Sequence, residues 1–134
     1  MLIENDLIFA FLNKLDKNYE IARRIFEKIR DGRLKVEVSS ISLLEMELIY
    51  RSEKREDQLF RDLSALATFD NMEFIPLTPE IALTSVYLRQ ELGLSFFDSH
   101  YAATALKLDR KIISFDVVYE KVEGLRRIDP SKLA

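Results

Sequence analysis

Apolar residues recur along the chain with two periods, one typical of strands and one typical of helices. Short apolar or alternating runs predict strands at Leu2–Ile3, Leu34–Val38, Glu73–Ile75, Lys111–Phe115 and, more weakly, Arg126–Ile128. Apolar residues at helical spacing lie between them, in Leu7–Leu15, Tyr19–Ile29, Ile41–Tyr50, Leu59–Phe69, Thr78–Gly93 and Phe97–Leu108. Strands therefore alternate with helices or helix pairs from one end of the chain to the other.

Residues that are typical of helix ends support some of these boundaries. Thr78 followed by Pro79 is typical of a helix start, with threonine as the cap and proline in the first turn. Gly32 and Gly93 each follow a helical pattern, where a left-handed C-terminal cap favours glycine.

The alternation of strands and helices predicts an α/β fold. Connections through helices favour a central parallel sheet, here of four to five strands, with helices on both faces. The 134 residues, 48% of them apolar, are enough for one domain with a core, so we expect a single domain spanning residues 1–134.

Composition narrows the classes of function. The formal charge of −3 argues against a passive, basic nucleic-acid binder. The chain has no cysteine, which excludes disulfides and thiolate metal sites. No apolar run approaches the length of a membrane span, and the N-terminal residues lack the features of a signal peptide. We therefore expect a cytoplasmic protein without a membrane partner.

Acidic residues follow several of the predicted strands. Glu4 and Asp6 come after the first strand, and Asp116 follows the strand at Lys111–Phe115. Glu45 lies in the first turns of one helix, and Asp98 opens another. In parallel sheets, ligands bind outside the carboxyl ends of the strands. The pattern therefore predicts that these acids meet at one edge of the sheet.

Each acid also has a local explanation as a helix cap, because carboxylates are favoured at helix N-termini. Capping boxes are matched by Ser42-x-x-Glu45 and Ser95-x-x-Asp98. The simple N-cap candidates are Asn5, Asp6 and Asp116. Capping explains any one acid well, but it does not explain why acids follow so many strands in succession.

Acids that meet would repel one another unless a cation lies between them. A hard divalent cation with oxygen ligands, Mg²⁺ or Mn²⁺, suits an all-carboxylate site. Zinc is a poor match, because the chain has a single histidine and no cysteine. Such an ion can generate hydroxide and stabilise the leaving oxygen of a phosphodiester.

The order of these motifs resembles the PIN-domain family, which includes the VapC-type toxin ribonucleases. The resemblance spans essentially the whole chain. It rests on four segments, Leu2–Ile8, Ser40–Glu45, Phe97–Ala105 and Ile112–Asp116. The third segment has an acid followed by an alanine-rich helix, and the fourth has a strand, a hydroxyl residue and an acid.

The resemblance implies a Mg²⁺- or Mn²⁺-dependent endoribonuclease that cleaves RNA, and an α/β PIN-like fold. It implies that the metal ligands, directly or through water, are Glu4, Asp6, Asp98 and Asp116. Glu45 would complete the site or orient the attacking water, and Ser114 would support the site by hydrogen bonding. The family also suggests a homodimer and, for toxins, an antitoxin protein as partner. Glu4 and Asp6 depart from the usual pattern, which has Asp at the first position and often Asn or Ser at the second.

The sequence leaves several assignments open. Periodicity does not separate Glu45 from Glu47, and the choice of Glu45 rests on the resemblance. His100 is expected to be a partly exposed structural residue on a different face from Asp98. Basic clusters are expected to be solvated helix or strand surfaces; they comprise Arg23, Arg24, Lys28, Arg51, Lys54, Arg55, Arg126 and Arg127.

Other functions of α/β domains require residues at different positions. A phosphotransferase of the haloacid-dehalogenase type needs an Asp nucleophile where this chain has Glu4. A receiver domain needs an acid after the strand Glu73–Ile75, and none is present there. The remaining alternative is a catalytically inactive PIN-like domain that serves as a protein- or RNA-binding module.

Overall fold

The computed structural model describes all residues from Met1 to Ala134. The strands are β1 (Leu2–Ile3), β2 (Val36–Ser39), β3 (Met72–Ile75), β4 (Lys111–Ile113) and β5 (Arg126–Ile128). The helices are α1 (Asn5–Leu12), α2 (Tyr19–Arg30), α3 (Ser40–Ser52), α4 (Glu56–Ala67), α5 (Pro79–Leu92) and α6 (Phe96–Lys107). Short 3-10 helices cover Val117–Lys121 and Pro130–Lys132.

The five strands form one parallel sheet in the order β3-β2-β1-β4-β5. The predicted α/β architecture is confirmed, with five strands in the sheet. β1 lies in the centre, with β2 on one side and β4 on the other. The chain builds outward from β1 to β3 and then crosses to the other side for β4 and β5. This change of direction at β1 is the position at which open α/β sheets bind ligands.

Alternation along the strands divides the interior into two cores, one on each face of the sheet. Ile3 and Ile113 face one core, which α1, α2 and α4 cover. Leu2 and Ile112 face the other, which α5 and α6 cover. The small residues of α6 let that helix lie close to the sheet, where Ala102, Ala103 and Ala105 are buried.

The predicted boundaries of α5 are confirmed. The Thr78 hydroxyl caps the helix by accepting a hydrogen bond from the Ile81 N–H at 3.2 Å, and Pro79 occupies the first turn. Gly93 ends the helix with a φ of 67°, a left-handed conformation that glycine adopts without steric cost.

The prediction for the end of α1 is wrong. The apolar spacing placed Leu15 on the buried face of that helix, but the helix ends at Leu12 and Leu15 is 94% exposed. The Asn13 side chain accepts a hydrogen bond from the Leu15 N–H at 3.0 Å. This local turn competes with the helix, as asparagine side chains commonly do.

No helix combines the length and the apolar composition that crossing a lipid bilayer requires.

Candidate active site

The pairing of β1 with β4 brings the two ends of the chain's acidic pattern together. Leu2 pairs with Ile112 and Ile3 with Ile113, so the residues that follow the two strands are neighbours. The Glu4 N–H continues the pairing by donating to the Ile113 carbonyl at 3.1 Å. Glu4 is therefore fixed at the carboxyl end of the central strand, and only 7% of its surface is exposed.

The Ser114 hydroxyl lies between the first two acids. Its oxygen is 2.7 Å from Asp6 Oδ2 and 3.2 Å from Glu4 Oε2. A hydroxyl carries one proton, so it can donate to only one of these carboxylates at a time. The Phe115 N–H also donates to Asp6 Oδ2 at 2.9 Å. Ser114 thus links the carboxylates of Glu4 and Asp6 by hydrogen bonding.

Glu45 reaches the same edge from the second turn of α3. Its Oε1 atom accepts hydrogen bonds from the Tyr101 hydroxyl and from Asn5 Nδ2, both at 2.8 Å. Glu47 lies on the same helix but is exposed and makes no side-chain hydrogen bond. The structure therefore favours Glu45 over Glu47 as the acid that faces the site.

Asp98 is the third residue of α6 and is half-buried. Its backbone N–H donates to the Ser95 hydroxyl at 3.1 Å, so Ser95 is the N-cap. A capping box would also require the Asp98 carboxylate to accept a hydrogen bond from the Ser95 N–H, and this bond is absent. Instead, Asp98 Oδ1 accepts from the Tyr119 hydroxyl at 3.3 Å. Ser95 therefore caps α6 as the capping box predicted, but Asp98 does not complete the box. The Asp98 carboxylate instead belongs with Glu4, Asp6 and Glu45, which together are called the acidic cluster.

Asp116 is brought to this edge by its backbone. Its N–H donates to the Ser114 hydroxyl at 3.0 Å, which joins it to the Glu4 and Asp6 network. Its carboxylate Oδ1 accepts from the Val118 N–H at 2.9 Å and caps the following 3-10 helix. The predicted capping role of Asp116 is therefore confirmed.

Two other capping predictions are wrong. The N-cap of α1 is Glu4, whose Oε1 accepts from the Asp6 N–H at 3.2 Å, and neither Asn5 nor Asp6 serves as the cap. The N-cap of α3 is Ser39 rather than Ser42, because the helix begins three residues earlier than a capping box with Glu45 would need. Glu45 is thus free of a capping role.

Burial raises the pKa of the Glu4 carboxyl well above its ordinary value of 4.5. The negative charge of Asp6 raises it further, followed by those of Glu45 and Asp98. Burial also raises the pKa of Asp6 above 3.8, while hydrogen bonds from Ser114 and Phe115 act in the opposite direction. Glu4 thus lies within electrostatic reach of three other acids.

None of these acids forms an ion pair with a cationic group of the protein. All ion pairs in the structure involve other carboxylates, with Arg127 and Glu120 as the pair nearest in sequence. Asp6 Oδ1 is buried and has no hydrogen-bond partner. This donor set of carboxylate oxygens fits a hard divalent cation. No three histidine, aspartate or glutamate side chains, however, converge closely enough here to form a complete metal-binding group.

Sequence reasoning missed three residues of the site, Asn5, Tyr101 and Tyr119. Tyr101 had a usable signal, since it lies three residues after Asp98 on the same face of α6. Two other predictions also need correction. His100 is buried rather than partly exposed, with 5% of its surface accessible. Arg127 is not a solvated residue, because its guanidinium donates to the Ser114 carbonyl at 2.9 Å.

Comparison with known proteins identifies the family. The family model of the PIN domain matches residues 2–125 of the chain. No curated protein sequence matches the chain significantly.

Several solved structures share the fold. VapBC2 from Rickettsia felis, bound to a DNA fragment from the promoter, aligns with a TM-score of 0.75 and 16% identity over 95% of this chain and 96% of that one. A toxin-antitoxin complex from Klebsiella pneumoniae aligns with a TM-score of 0.69 and 22% sequence identity, and the alignment covers 96% of both chains. VapC20 from Mycobacterium tuberculosis, a toxin that cleaves the Sarcin-Ricin loop, aligns with a TM-score of 0.72 and 16% sequence identity. The alignment covers 90% of this chain and 92% of that one. At such identities the likeness concerns the fold alone.

The raised pKa of Glu4 predicts a pH-dependent stability in EDTA. Above pH 4.5 and below the raised folded pKa, the folded protein binds more protons than the unfolded chain. Its free energy of unfolding should therefore fall as pH rises through this window. Glu4→Gln removes the ionisation, so the stability it gains over the wild-type protein should grow with pH. Urea unfolding of both proteins across the window measures this difference, and parallel pH profiles would contradict it.

Proposed function

Because the chain belongs to the PIN domain family, we propose that it is a metal-dependent endoribonuclease that cleaves RNA phosphodiester bonds at the acidic cluster. The observation that carries the proposal is that the carboxylates of the buried Glu4 and of Asp6 share the Ser114 hydroxyl, while the charges of Glu45 and Asp98 also act on Glu4. The charges of Asp6, Glu45 and Asp98 raise the pKa of Glu4, and none of these four acids forms an ion pair with an arginine or lysine. Such an arrangement favours the binding of a cation from solution.

We assign the ion as Mg²⁺ or Mn²⁺. Its ligands, directly or through water, would be Glu4, Asp6, Asp98 and Asp116. When bound, such an ion supplies a nucleophilic hydroxide from water and stabilises negative charge on the leaving oxygen. The unpartnered Oδ1 of Asp6 and the all-oxygen donor set support this assignment.

The protein's own groups would hold the acids and move a proton. Ser114 and the Phe115 N–H orient Asp6, and the Tyr119 hydroxyl orients Asp98. Glu45 Oε1 is engaged by two donors, while Oε2 makes no hydrogen bond within the protein. Glu45 Oε2 would accept the proton of the water that attacks phosphorus, or orient that water.

A catalytically inactive PIN-like domain that binds protein or RNA is the second candidate function. It is favoured by two acids that already serve as caps, Glu4 for α1 and Asp116 for the 3-10 helix after β4. RNA cleavage in Mn²⁺ separates the two candidates. Only the nuclease should cleave RNA, and EDTA should abolish that cleavage.

Two protein partners complete the proposal. The toxin-antitoxin complexes among the structural neighbours support an antitoxin that binds this chain and blocks cleavage, as in a toxin-antitoxin pair. An apolar stripe on α5 supports a homodimer, because Leu83, Val86 and Tyr87 are 73%, 41% and 61% exposed at helical spacing.

Replacing Asp98 with Asn tests whether this acid belongs to the metal site. The substitution keeps the shape of the side chain but removes a negative charge beside Glu4, so stability in EDTA should hold or rise. Cleavage of single-stranded RNA in Mn²⁺ should fall by more than about 100-fold, since even indirect supports of a metal site are worth 10–100-fold. A purely helix-stabilising acid would instead cost about 0.3–1 kcal/mol in thermal or urea unfolding. A variant that melts earlier yet cleaves normally would refute the assignment.

Glu45 and Glu47 offer a matched pair on the same helix. Glu45→Gln retains an oxygen that can accept the bonds from Tyr101 and Asn5, but it cannot take up a proton. RNA cleavage should fall by about 100-fold or more, the usual scale for a lost general base. Glu47→Gln should cleave within about twofold of wild type, because residue 47 faces solvent. Equal rates for the two variants would exclude Glu45 from the reaction.

The homodimer is tested on the α5 stripe by sedimentation velocity. The wild-type protein should sediment as a dimer, and Leu83→Arg should shift it to the monomer by placing a charge in the apolar contact. Leu15→Arg is the control, because Leu15 is exposed in the turn after α1 and outside the stripe. A monomeric wild type, or a dimer that survives the change at Leu83, would contradict the proposal.

A further inference from the structure

Glu45 is held by uncharged donors that come from two other helices. The Tyr101 hydroxyl from α6 and Asn5 Nδ2 from α1 both bond to Oε1 at 2.8 Å. Tyr101 and Asn5 are almost completely buried, at 0% and 1% exposure. The Asn5 amide nitrogen is also 3.1 Å from the Tyr101 oxygen and 3.0 Å from the Ser42 carbonyl. The donors are thus fixed by packing and by each other.

We propose that Tyr101 is a positioning residue that orients Glu45 for the reaction, a role that rests on the proposed nuclease function. Both donors bond to the same oxygen, Oε1, and this leaves Oε2 available to water or metal. Glu45 is only half-buried, so without these two bonds its carboxylate would be free to rotate toward solvent. The Tyr101 hydroxyl opposes this rotation without neutralising the charge, which an arginine or lysine in its place would do.

Tyr101 does not need to touch RNA for this role. Its side chain is fully buried, and its ring lies 6.5 Å from that of Phe97, measured between centroids. Removing only the hydroxyl should therefore leave RNA binding intact and change the catalytic step. Tyr101→Phe provides this change, since it keeps the ring and its packing.

Tyr50 supplies a matched control elsewhere in the molecule. It is buried, and its hydroxyl donates to the carboxylate of Asp62 at 2.7 Å. Tyr50→Phe therefore removes the same chemical contact between α3 and α4, outside the acidic cluster. Any loss that comes only from deleting a buried tyrosine hydroxyl should appear in both variants.

The experiment compares wild type, Tyr101→Phe, Tyr50→Phe, Glu45→Ala and the double variant Tyr101→Phe/Glu45→Ala. Mn²⁺ affinity is measured by calorimetry, and kcat and KM by cleavage of single-stranded RNA. Tyr101→Phe should weaken Mn²⁺ binding and lower kcat by about tenfold, the lower end of the range for residues that orient metal-site groups. KM for RNA, measured at saturating Mn²⁺, should be unchanged, because the Tyr101 side chain is fully buried and has no contact with the substrate. Tyr50→Phe should match wild type in all three quantities.

The Glu45→Ala background decides whether Tyr101 acts through Glu45. In that background the Tyr101→Phe change should have no further effect on Mn²⁺ affinity or kcat. A full additional loss there, or wild-type affinity and kcat in Tyr101→Phe alone, would overturn the proposal. Wild-type protein that binds Mn²⁺ but cleaves no RNA would refute the nuclease function instead, and the affinity comparison would still decide the role of Tyr101.

Discussion

Burial of the Glu4 carboxylate at the carboxyl end of β1 sets the conditions for everything around it. The central strand leaves this residue little access to solvent, since β2 and β4 flank it and its N–H is already paired with Ile113. A buried carboxylate beside other acids ionises only at a cost in free energy. The groups that surround the cluster lower this cost with hydroxyl and amide dipoles rather than with positive charge. The residual negative charge is the basis on which we propose that the site binds an external cation.

Much of this arrangement could be predicted from the sequence. The strands and helices follow from apolar periodicity, and Thr78, Pro79 and Gly93 specify the ends of α5 locally. The convergence of the acids follows from a general property of parallel sheets, in which the ends of neighbouring strands share an edge. Leu15 shows where periodicity fails, because a single asparagine side chain ended α1 before the apolar pattern did.

Other features depend on contacts that no local pattern records. The strand order is set by the packing of whole helices, and it alone makes β1 the neighbour of β4. Tyr101 and Tyr119 have the sequence signature of core residues, and only the assembled structure shows that their hydroxyls end on Glu45 and Asp98. The Asp116 carboxylate could likewise have turned toward the Val118 N–H or toward the other acids, and the sequence does not say which. The position of each acid was therefore predictable, whereas its hydrogen-bond partners were not.

The contact between Glu4 and Ser114 joins residues that are 110 positions apart in the chain. During synthesis the chain emerges from its N-terminal end, so the first acids leave the ribosome long before the strand that completes their surroundings. A nascent chain that lacks β4 has no Ser114 and no partner for the open side of β1. Contacts of such long range also form late and slowly in folding. The acidic centre consequently assembles only after β4 has been synthesised and has paired with β1, so its formation reports that the whole sheet edge is in place.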